Sequence, residues 1–332
     1  MKNTKTKMLC EAAIFIAMAE ILSLIKLYEF PNGGSITLEM IPLVLMGLRN
    51  GTKWGCFTGF VHGVLQMMMG FENVLYCATL PAQIGCILLH YILSQKKQRD
   101  ELPENAAAVT TIVSTDMARA IAESYGCKMI EVLTGFKYIA EQIHLFETTG
   151  CNTFMFGFEE SFGYLSGTDV RDKDGVNACM LIAEAASWYK KMYNKTLVDA
   201  IDMLYEQYGY YGDKVTSFVL PGKDGLEKMQ DVMKALRENP PKTFAGAKVL
   251  ALRDYQTGLR TTADGAVEML TLPKSNVLYF ELEDRAWVCV RPSGTEPKIK
   301  LYVNAVSDSA DKTQALLNAY SDAAVETLNS RM

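Results

Sequence analysis

The order of apolar and charged positions divides the chain into two unlike parts. Four apolar runs fill the N-terminal part, at residues 8–30, 36–48, 54–69 and 74–93, and charges within them are few. The first and last runs reach the roughly 20 residues that a helix needs to cross a bilayer, whereas the second is short. After Ser94, charged side chains recur in nearly every helical turn. This pattern predicts an N-terminal α-helical membrane segment followed by charged globular domains.

Basic side chains are confined to alternate connections between the runs. They precede the first run, lie between the second and third, and follow the fourth, whereas Glu29 and Glu72 lie near the other two connections. Cytoplasmic connections of membrane proteins are enriched in Lys and Arg. We therefore expect residues 8–93 to lie in the cell membrane, with the C-terminal domains in the cytoplasm.

Two other interpretations of the N-terminal part remain open. Ala17-Met18-Ala19 resembles the cleavage site of a signal peptide, although the apolar run continues past it. The runs could instead form the buried helical core of a soluble protein, because the second run is short for a membrane helix.

From Ala107 onward, predicted strands alternate with predicted helices. The strands are "AVTTIVS", "KMIEVL" and "NTFMFGF", and the helices are "MARAIAESYG", "GFKYIAEQI" and "VNACMLIAEAASWYKKMYN". Asp116 precedes the first of these helices as a predicted N-cap. Strands that alternate with helices in this way indicate a parallel sheet covered on both faces, which is an α/β/α layered domain.

The pattern changes again after Gly209. A predicted helix over Gly225–Glu238 is followed by four strand-like stretches, "AKVLALRDY", "NVLYFEL", "RAWVCVRP" and "KIKLYVNA", and by a final helix. This order is typical of an α+β domain. We therefore place the three domains at residues 1–94, 95–210 and 211–332.

Composition narrows the classes of function. The formal net charge of −5 gives no sign of a surface for nucleic acid. The 8 cysteines form no C-x-x-C pair and there are only 3 histidines, which argues against a zinc site and fits a reducing compartment.

Two loops carry candidate chemistry. In "GFEESFGYLSGTDVRDKDG", polar side chains leave the end of a predicted strand, where open α/β sheets place their ligand crevices. The carboxylate of Glu159 can accept two hydrogen bonds, as the vicinal diol of a sugar requires. In "RPSGTEPK", Arg291 can bind a phosphate bidentately, and the backbone after it can form an anion nest. Either loop alone is more typical of a solvated turn.

Together, "LTGFKYI", "FGFEESFGYLSGTDVRDKDG" and "VRPSGTEPKIKLYV" resemble, in that order, the third and fourth domains of α-D-phosphohexomutases of the bacterial phosphoglucomutase/phosphomannomutase family. The resemblance covers roughly residues 102–332. It implies a hexose phosphate as ligand, with the sugar hydroxyls bound by Glu159 and Ser161. It implies that the phosphate not being transferred is held by Arg291, Ser293, Gly294 and Thr295. It also implies that Lys137 and Lys173 line the cleft, with Lys173 as a candidate catalytic group for proton transfer or charge stabilisation.

The chain also departs from that family. Those mutases transfer phosphate from a phosphoserine in a Ser-His-Asn motif, assisted by Mg²⁺ in an Asp-x-Asp-x-Asp loop, and this sequence contains neither motif. We therefore expect a catalytically incomplete mutase fragment that retains no cofactor.

The N-terminal part resembles a second family. "EAAIFIAMAEILS", "GGSITLEMIPLVLMGLRNGTKWG" and "GFENVLYCATLPAQ" are similar to the thiamine-specific substrate-binding component of energy-coupling-factor transporters. This resemblance implies thiamine as a ligand and a transport module that docks at the small residues Ala13 and Ala17. It stops near Leu93 with no linker, which indicates a fusion of two truncated genes, natural or arising in sequence assembly. The alternative function is a truncated thiamine-binding membrane component with the mutase part as a passenger.

Overall fold

A computed structural model describes the chain over most of its length. The described residues are 2–23, 26–29, 35–37, 40–69, 81–220, 225–293 and 297–332. They form two compact units. The first unit comprises Met1–Pro81 and Ala183–Leu197, and the second comprises Ala82–Ile182 and Val198–Met332.

The first unit is mainly helical. Its N-terminal elements are α1 (Lys2–Ser23), β1 (Lys26–Glu29), β2 (Ser35–Thr37), α2 (Met40–Asn50) and α3 (Thr52–Met69). Strands β1 and β2 pair antiparallel. Glu11 of α1 accepts hydrogen bonds from Arg49 at 3.4 Å and from Asn50 at 3.2 Å, which joins α1 to the end of α2.

Among the described helices, none combines bilayer-spanning length with a sufficiently apolar sequence. The helix in the second apolar run, α2, has 11 residues where roughly 20 are needed. Helix α1 carries Lys7, Glu11 and Glu20 among its apolar residues. The predicted membrane helices over residues 8–93 are therefore not confirmed, and the membrane location stays a prediction.

The second unit begins with an α/β layer. Its elements are α4 (Pro81–Gln98), β3 (Ala106–Thr111), α5 (Met117–Ser124), β4 (Lys128–Val132), α6 (Phe136–Thr149), β5 (Thr153–Phe158), β6 (Tyr164–Leu165), α7 (Gly175–Tyr193) and α8 (Leu197–Tyr208). Of α7, the residues from Ala183 onward belong to the first unit. The strand order is β4-β3-β5-β6, with β3 parallel to β4 and β5 and with β6 antiparallel to β5. The predicted parallel α/β fold is confirmed, and the antiparallel edge strand β6 is an addition to it.

Helix α4 is an internal helix of this layer. All residues from Ala82 to Leu93 are buried. Gly85 lies against strand β5, because a Cβ atom at this position would come within 3.0 Å of three ring atoms of Phe158. A helix that is apolar on every side requires such complete burial.

The remainder of the second unit is an antiparallel sheet with two helices. The strands are β7 (Tyr210–Val219), β8 (Thr243–Phe244), β9 (Ala247–Asp254), β10 (Leu259–Thr262), β11 (Val267–Met269), β12 (Leu278–Leu282), β13 (Trp287–Pro292) and β14 (Lys298–Ser307). The order is β11-β10-β9-β12-β13-β14-β7, and β8 pairs with β9. Helices α9 (Gly225–Glu238) and α10 (Ala310–Asn329) cover one face and share its apolar core. The predicted α+β fold is confirmed.

The opposite face of this sheet packs against the α/β layer. Alternate residues of β13 point to the two faces, so Val288 and Val290 join the helix side while Trp287 and Cys289 face the layer. There they pack with Ile112 among others. We call this contact region the seam.

The side chain of Asp116 forms a hydrogen bond across the seam instead of capping its own helix. It occupies the N-cap position of α5 as predicted, but its side chain makes no capping hydrogen bond. It instead accepts a hydrogen bond of 3.0 Å from the indole N–H of Trp287. Burial is the main cause that raises the pKa of Asp116 to about 6.

Candidate functional site

A tight turn at the carboxyl end of β5 holds the first candidate residues. The backbone N–H of Glu159 donates to the carbonyl of Gly163 at 2.8 Å and closes the turn. Phe162 within it has φ of +60°, a left-handed conformation that is costly for an aromatic residue. Such strain persists only where surrounding contacts hold the backbone, and it is most common at functional sites.

The carboxyl group of Glu159 is buried and has a backbone partner. Its Oε1 accepts a hydrogen bond of 3.0 Å from the N–H of Gly135 in the "LTGFKYI" loop. Its pKa is raised, chiefly by burial and then by the charge of Glu160, while the Gly135 N–H and the charge of Lys173 oppose the rise. A Cβ atom at Gly163 would lie 2.9 Å from Oε2 of Glu159, so only glycine leaves this oxygen uncrowded.

Glu160 points the other way, into the protein. It is buried, with 9% of its surface exposed, and its Oε2 accepts a hydrogen bond of 3.1 Å from Thr111 Oγ1. Its Oε1 accepts a hydrogen bond of 3.2 Å from Ser161 Oγ. The predicted sugar-binding hydroxyl of Ser161 is therefore already engaged by its neighbour.

The two predicted lysines lie in different surroundings. Lys173 pairs with Asp172 at 2.8 Å, and its Nζ lies 5.5 Å from the ring centroid of Phe136, beside Glu159. The Nζ of Lys137 instead lies 4.6 Å from the ring centroid of Tyr138. Lys137 also lines an open pocket along α6. Only Lys173 of the two therefore has a contact with the Glu159 turn on which a role can be argued.

Arg291 and Ser293 lie at the end of β13, on the other side of the seam. The N–H of Ser293 donates to the carbonyl of Lys298 at 2.8 Å and closes the base of the loop. Gly294 and Thr295 lie outside the described residues. Arg291 follows Cys289 on the face of β13 that meets the α/β layer, and Cys289 pairs across the strands with Tyr302.

The charges of Glu160 and Arg291 both affect this Cys289–Tyr302 pair. Burial raises the pKa of both groups, the charge of Glu160 raises each further, and the charge of Arg291 lowers each. Glu160 in the turn after β5 and Arg291 in β13 therefore both act electrostatically on one buried pair of side chains. Sequence reasoning predicted both loops but not this shared effect.

No metal centre is found in the part of the chain that the structure describes, since no three His, Cys, Asp or Glu side chains are grouped closely enough to bind one. The Mg²⁺ that the mutase resemblance implies has no fitting set of ligands among these residues. On α1, Ala13 and Ala17 are both exposed, one helical turn apart.

Comparison with known proteins agrees with both parts of the chain. Models of the phosphoglucomutase/phosphomannomutase family match residues 81–208, as the alpha/beta/alpha domain III, and residues 221–318, as the C-terminal domain. A model of the thiamine transporter protein family matches residues 9–96. Phosphoglucomutases of the Staphylococcus aureus strains bovine RF122 / ET3-1 and MSSA476 are each 38% identical over 238 residues, which are 71% of this chain and 42% of theirs.

A solved structure agrees on the fold. The open form of the exocytosis-sensitive phosphoprotein pp63/parafusin, a phosphoglucomutase from Paramecium, superimposes with a TM-score of 0.53 at 18% identity. The match covers 75% of this chain and 41% of that one, so the chain spans less than half the length of the relatives that it matches. The predicted fusion is confirmed: the chain joins an N-terminal thiamine-transporter-like segment to the third and fourth domains of the phosphoglucomutase/phosphomannomutase family, to which its C-terminal two thirds belong.

Proposed function

We propose that the second unit binds hexose phosphates such as glucose 1-phosphate or glucose 6-phosphate. The observation that carries this proposal is that the charges of Glu160, the neighbour of Glu159, and of Arg291 act on the same buried pair, Cys289 and Tyr302. One loop supplies hydroxyl and carboxyl groups suited to sugar hydroxyls, and the other supplies a guanidinium suited to phosphate.

The roles of the side chains follow from their surroundings. Glu159 keeps Oε1 on the Gly135 N–H, which leaves Oε2 for a sugar hydroxyl. Arg291 takes the phosphate in this proposal, together with Ser293 and the loop residues Gly294 and Thr295. The charge of Lys173 opposes the raised pKa of Glu159, which suits a residue that stabilises charge beside the sugar. Lys137 is retained only as a contact at the edge of the cleft.

We expect binding without catalytic turnover. The family transfers phosphate from a phosphoserine with the help of Mg²⁺, and the sequence contains neither the Ser-His-Asn motif nor the metal loop. Groups that position a ligand without the reacting group supply binding but little acceleration.

The test is calorimetry on the full chain in mild detergent. Charge-assisted hydrogen bonds are worth roughly 1.5–3 kcal/mol each, so Arg291→Ala should weaken glucose 1-phosphate binding by at least about tenfold. Arg291→Lys should recover little, because an ammonium cannot form the two parallel bonds. Arg331→Ala is the matched control, since Arg331 binds backbone carbonyls of Thr327 and Asn239. Equal affinity of Arg291→Ala and the parent chain would refute the phosphate assignment.

A second proposed function belongs to the N-terminal segment. The match of residues 9–96 to the thiamine transporter family supports thiamine binding at the cell membrane. In this proposal the C-terminal domains lie in the cytoplasm, as the basic side chains of the alternate connections predict. The exposure of Ala13 and Ala17 on α1 leaves a small-residue face on which a transport module could pack closely. Thiamine should quench the tryptophan fluorescence of the full chain in detergent, and an equal concentration of pyridoxine should not. Absence of quenching would contradict thiamine binding.

A further inference from the structure

The hydrogen bonds around Glu160 have a fixed direction. The hydroxyls of Thr111 and Ser161 both donate to the carboxyl oxygens of Glu160, at 3.1 Å and 3.2 Å. Each hydroxyl has a single proton. The bond of 3.0 Å between Thr111 Oγ1 and Ser114 Oγ must therefore be donated by Ser114. A chain of donors thus runs from Ser114 through Thr111 to Glu160, and Ser161 meets it from the other side.

This direction has a consequence for Ser161. Because its only hydroxyl proton is given to Glu160, the Ser161 oxygen can offer nothing but lone pairs to a ligand. A sugar hydroxyl that meets Ser161 must then act as the donor. An acceptor-only substituent at the same position of the sugar would find no partner and would leave a polar contact unmade.

Burial and a hydrogen bond from a buried strand hold the side chain of Glu160 in place. It is buried, and Thr111 belongs to β3, one of the two inner strands of the α/β layer, where all residues are buried. Its charge also reaches the Cys289–Tyr302 pair on the opposite side of the seam. The turn that carries Ser161 is therefore tied through Glu160 to a buried strand of the layer.

We propose that Glu160 is a positioning residue that fixes the orientation of the Ser161 hydroxyl and thereby makes the site select sugar phosphates whose hydroxyl donates at that position. The inference rests on the proposed hexose-phosphate function and adds a determinant of specificity to it. Glu160 itself touches Thr111 and Ser161 and acts on the ligand through Ser161.

The experiment compares glucose 1-phosphate with its 3-deoxy-3-fluoro and 4-deoxy-4-fluoro analogues by calorimetry on the full chain. Fluorine replaces the hydroxyl with a group that cannot donate. We expect the parent chain to bind at least one analogue about fivefold more weakly than glucose 1-phosphate. In Glu160→Gln the side-chain amide can donate to Ser161, which frees the Ser161 hydroxyl proton for the ligand. The ratio of the affinities for glucose 1-phosphate and for that analogue should then fall below about twofold.

Two further variants separate positioning from a general structural role. Ser161→Ala should also abolish the discrimination while leaving Glu160 in place, and the exposed Glu238→Gln is the matched control and should keep the parent ratio. Affinity for inorganic phosphate should stay within twofold in all of them, because Arg291 is untouched. The inference is overturned if the Glu160→Gln chain keeps the parent ratio of affinities for glucose 1-phosphate and its analogue. It is also overturned if the affinity of this variant for inorganic phosphate falls as much as its affinity for the sugar phosphates.

The outcomes also separate this inference from the function on which it rests. A parent chain that binds all three sugar phosphates equally well contradicts the role of Glu160 and leaves the proposed function standing. A parent chain that binds inorganic phosphate through Arg291 but gains nothing from any sugar contradicts both.

Discussion

The packing of Gly85 against Phe158 gives the sharpest test of the fold, because it asks whether α4 is a core helix of the second unit. Replacing Gly85 with alanine adds one Cβ atom, which would lie within 3.0 Å of three atoms of the Phe158 ring. Ordinary contacts between carbon atoms lie at roughly 3.5–4.0 Å, so the helix or the ring would have to move. Phe158 is only 1% exposed, and its carbonyl accepts a hydrogen bond from Thr110, so there is little free space around it.

The expected cost follows from these contacts. Overpacking a well-filled core costs about 1–3 kcal/mol, and the gain in helix propensity from glycine to alanine returns about 0.5–1 kcal/mol. We therefore expect Gly85→Ala to lower the free energy of unfolding by about 1–2 kcal/mol. For a domain of this size, that corresponds to a fall of about 2–8 °C in Tm.

The assay should report on the second unit alone. Trp287 lies in its seam, so a background with Trp54→Phe and Trp188→Phe leaves one fluorescent reporter there. Gly175→Ala is the matched control, since a Cβ atom at Gly175 meets nothing within 4 Å. A Gly85→Ala chain that unfolds at the parent temperature would refute the packing of α4 on β5.

Three further predictions concern the seam, a hairpin and catalysis. Burial raises the pKa of Asp116 from 3.8 to about 6, so between these pH values the folded state binds a proton that the unfolded state has lost. The free energy of unfolding should therefore fall as the pH rises through this window, by at most about 3 kcal/mol. Asp116→Asn should flatten this fall in urea titrations from about pH 4 to pH 7. Asp284 and Arg285 both have positive φ in the turn between β12 and β13. Arg285→Gly should therefore raise the free energy of unfolding by about 1 kcal/mol. A loss of stability would show that the contact of Arg285 with Tyr211 outweighs the backbone strain. The purified chain should not interconvert glucose 1-phosphate and glucose 6-phosphate, even with Mg²⁺ and glucose 1,6-bisphosphate, and turnover at ordinary mutase rates would show that the missing motifs are not required.

The regular elements of the second unit were largely predictable because local signals and tertiary contacts agree there. The apolar runs of β3, β4 and β5 and the amphipathic helix Gly225–Glu238 carry their patterns in the sequence itself. Strand β7 was not predicted. Its stretch "YYGDKV" looks like a turn because Gly212, Asp213 and Lys214 are poor strand formers. Those residues pair with β14, and Asp213 accepts a hydrogen bond of 2.8 Å from Asn304, a partner that only the fold brings near.

The candidate site, like the fold, was predictable from the sequence only in part. The loops that carry Glu159 and Arg291 have recognisable sequences, so their positions were predictable. The part played by Glu160 was not, because its partner Thr111 lies 49 positions earlier in the chain and its charge acts on residues of another sheet. The repeated glutamate in "FEESF" was the only local signal, and a second carboxylate in a surface loop is ordinarily solvated.

The junction between the two parts of the chain has a physical explanation in α4. Residues 81–96 match both family models, and a helix that is apolar on every side suits either a membrane or a protein core. The polar residues distinguish the two settings. Gln83 donates to Asp213 at 3.4 Å, and His90 is buried with its ring 5.8 Å from that of Tyr125, whereas lipid would offer neither side chain a partner. A break inside such a helix leaves each side with the apolar residues that it needs, which explains why the two families meet here without a linker.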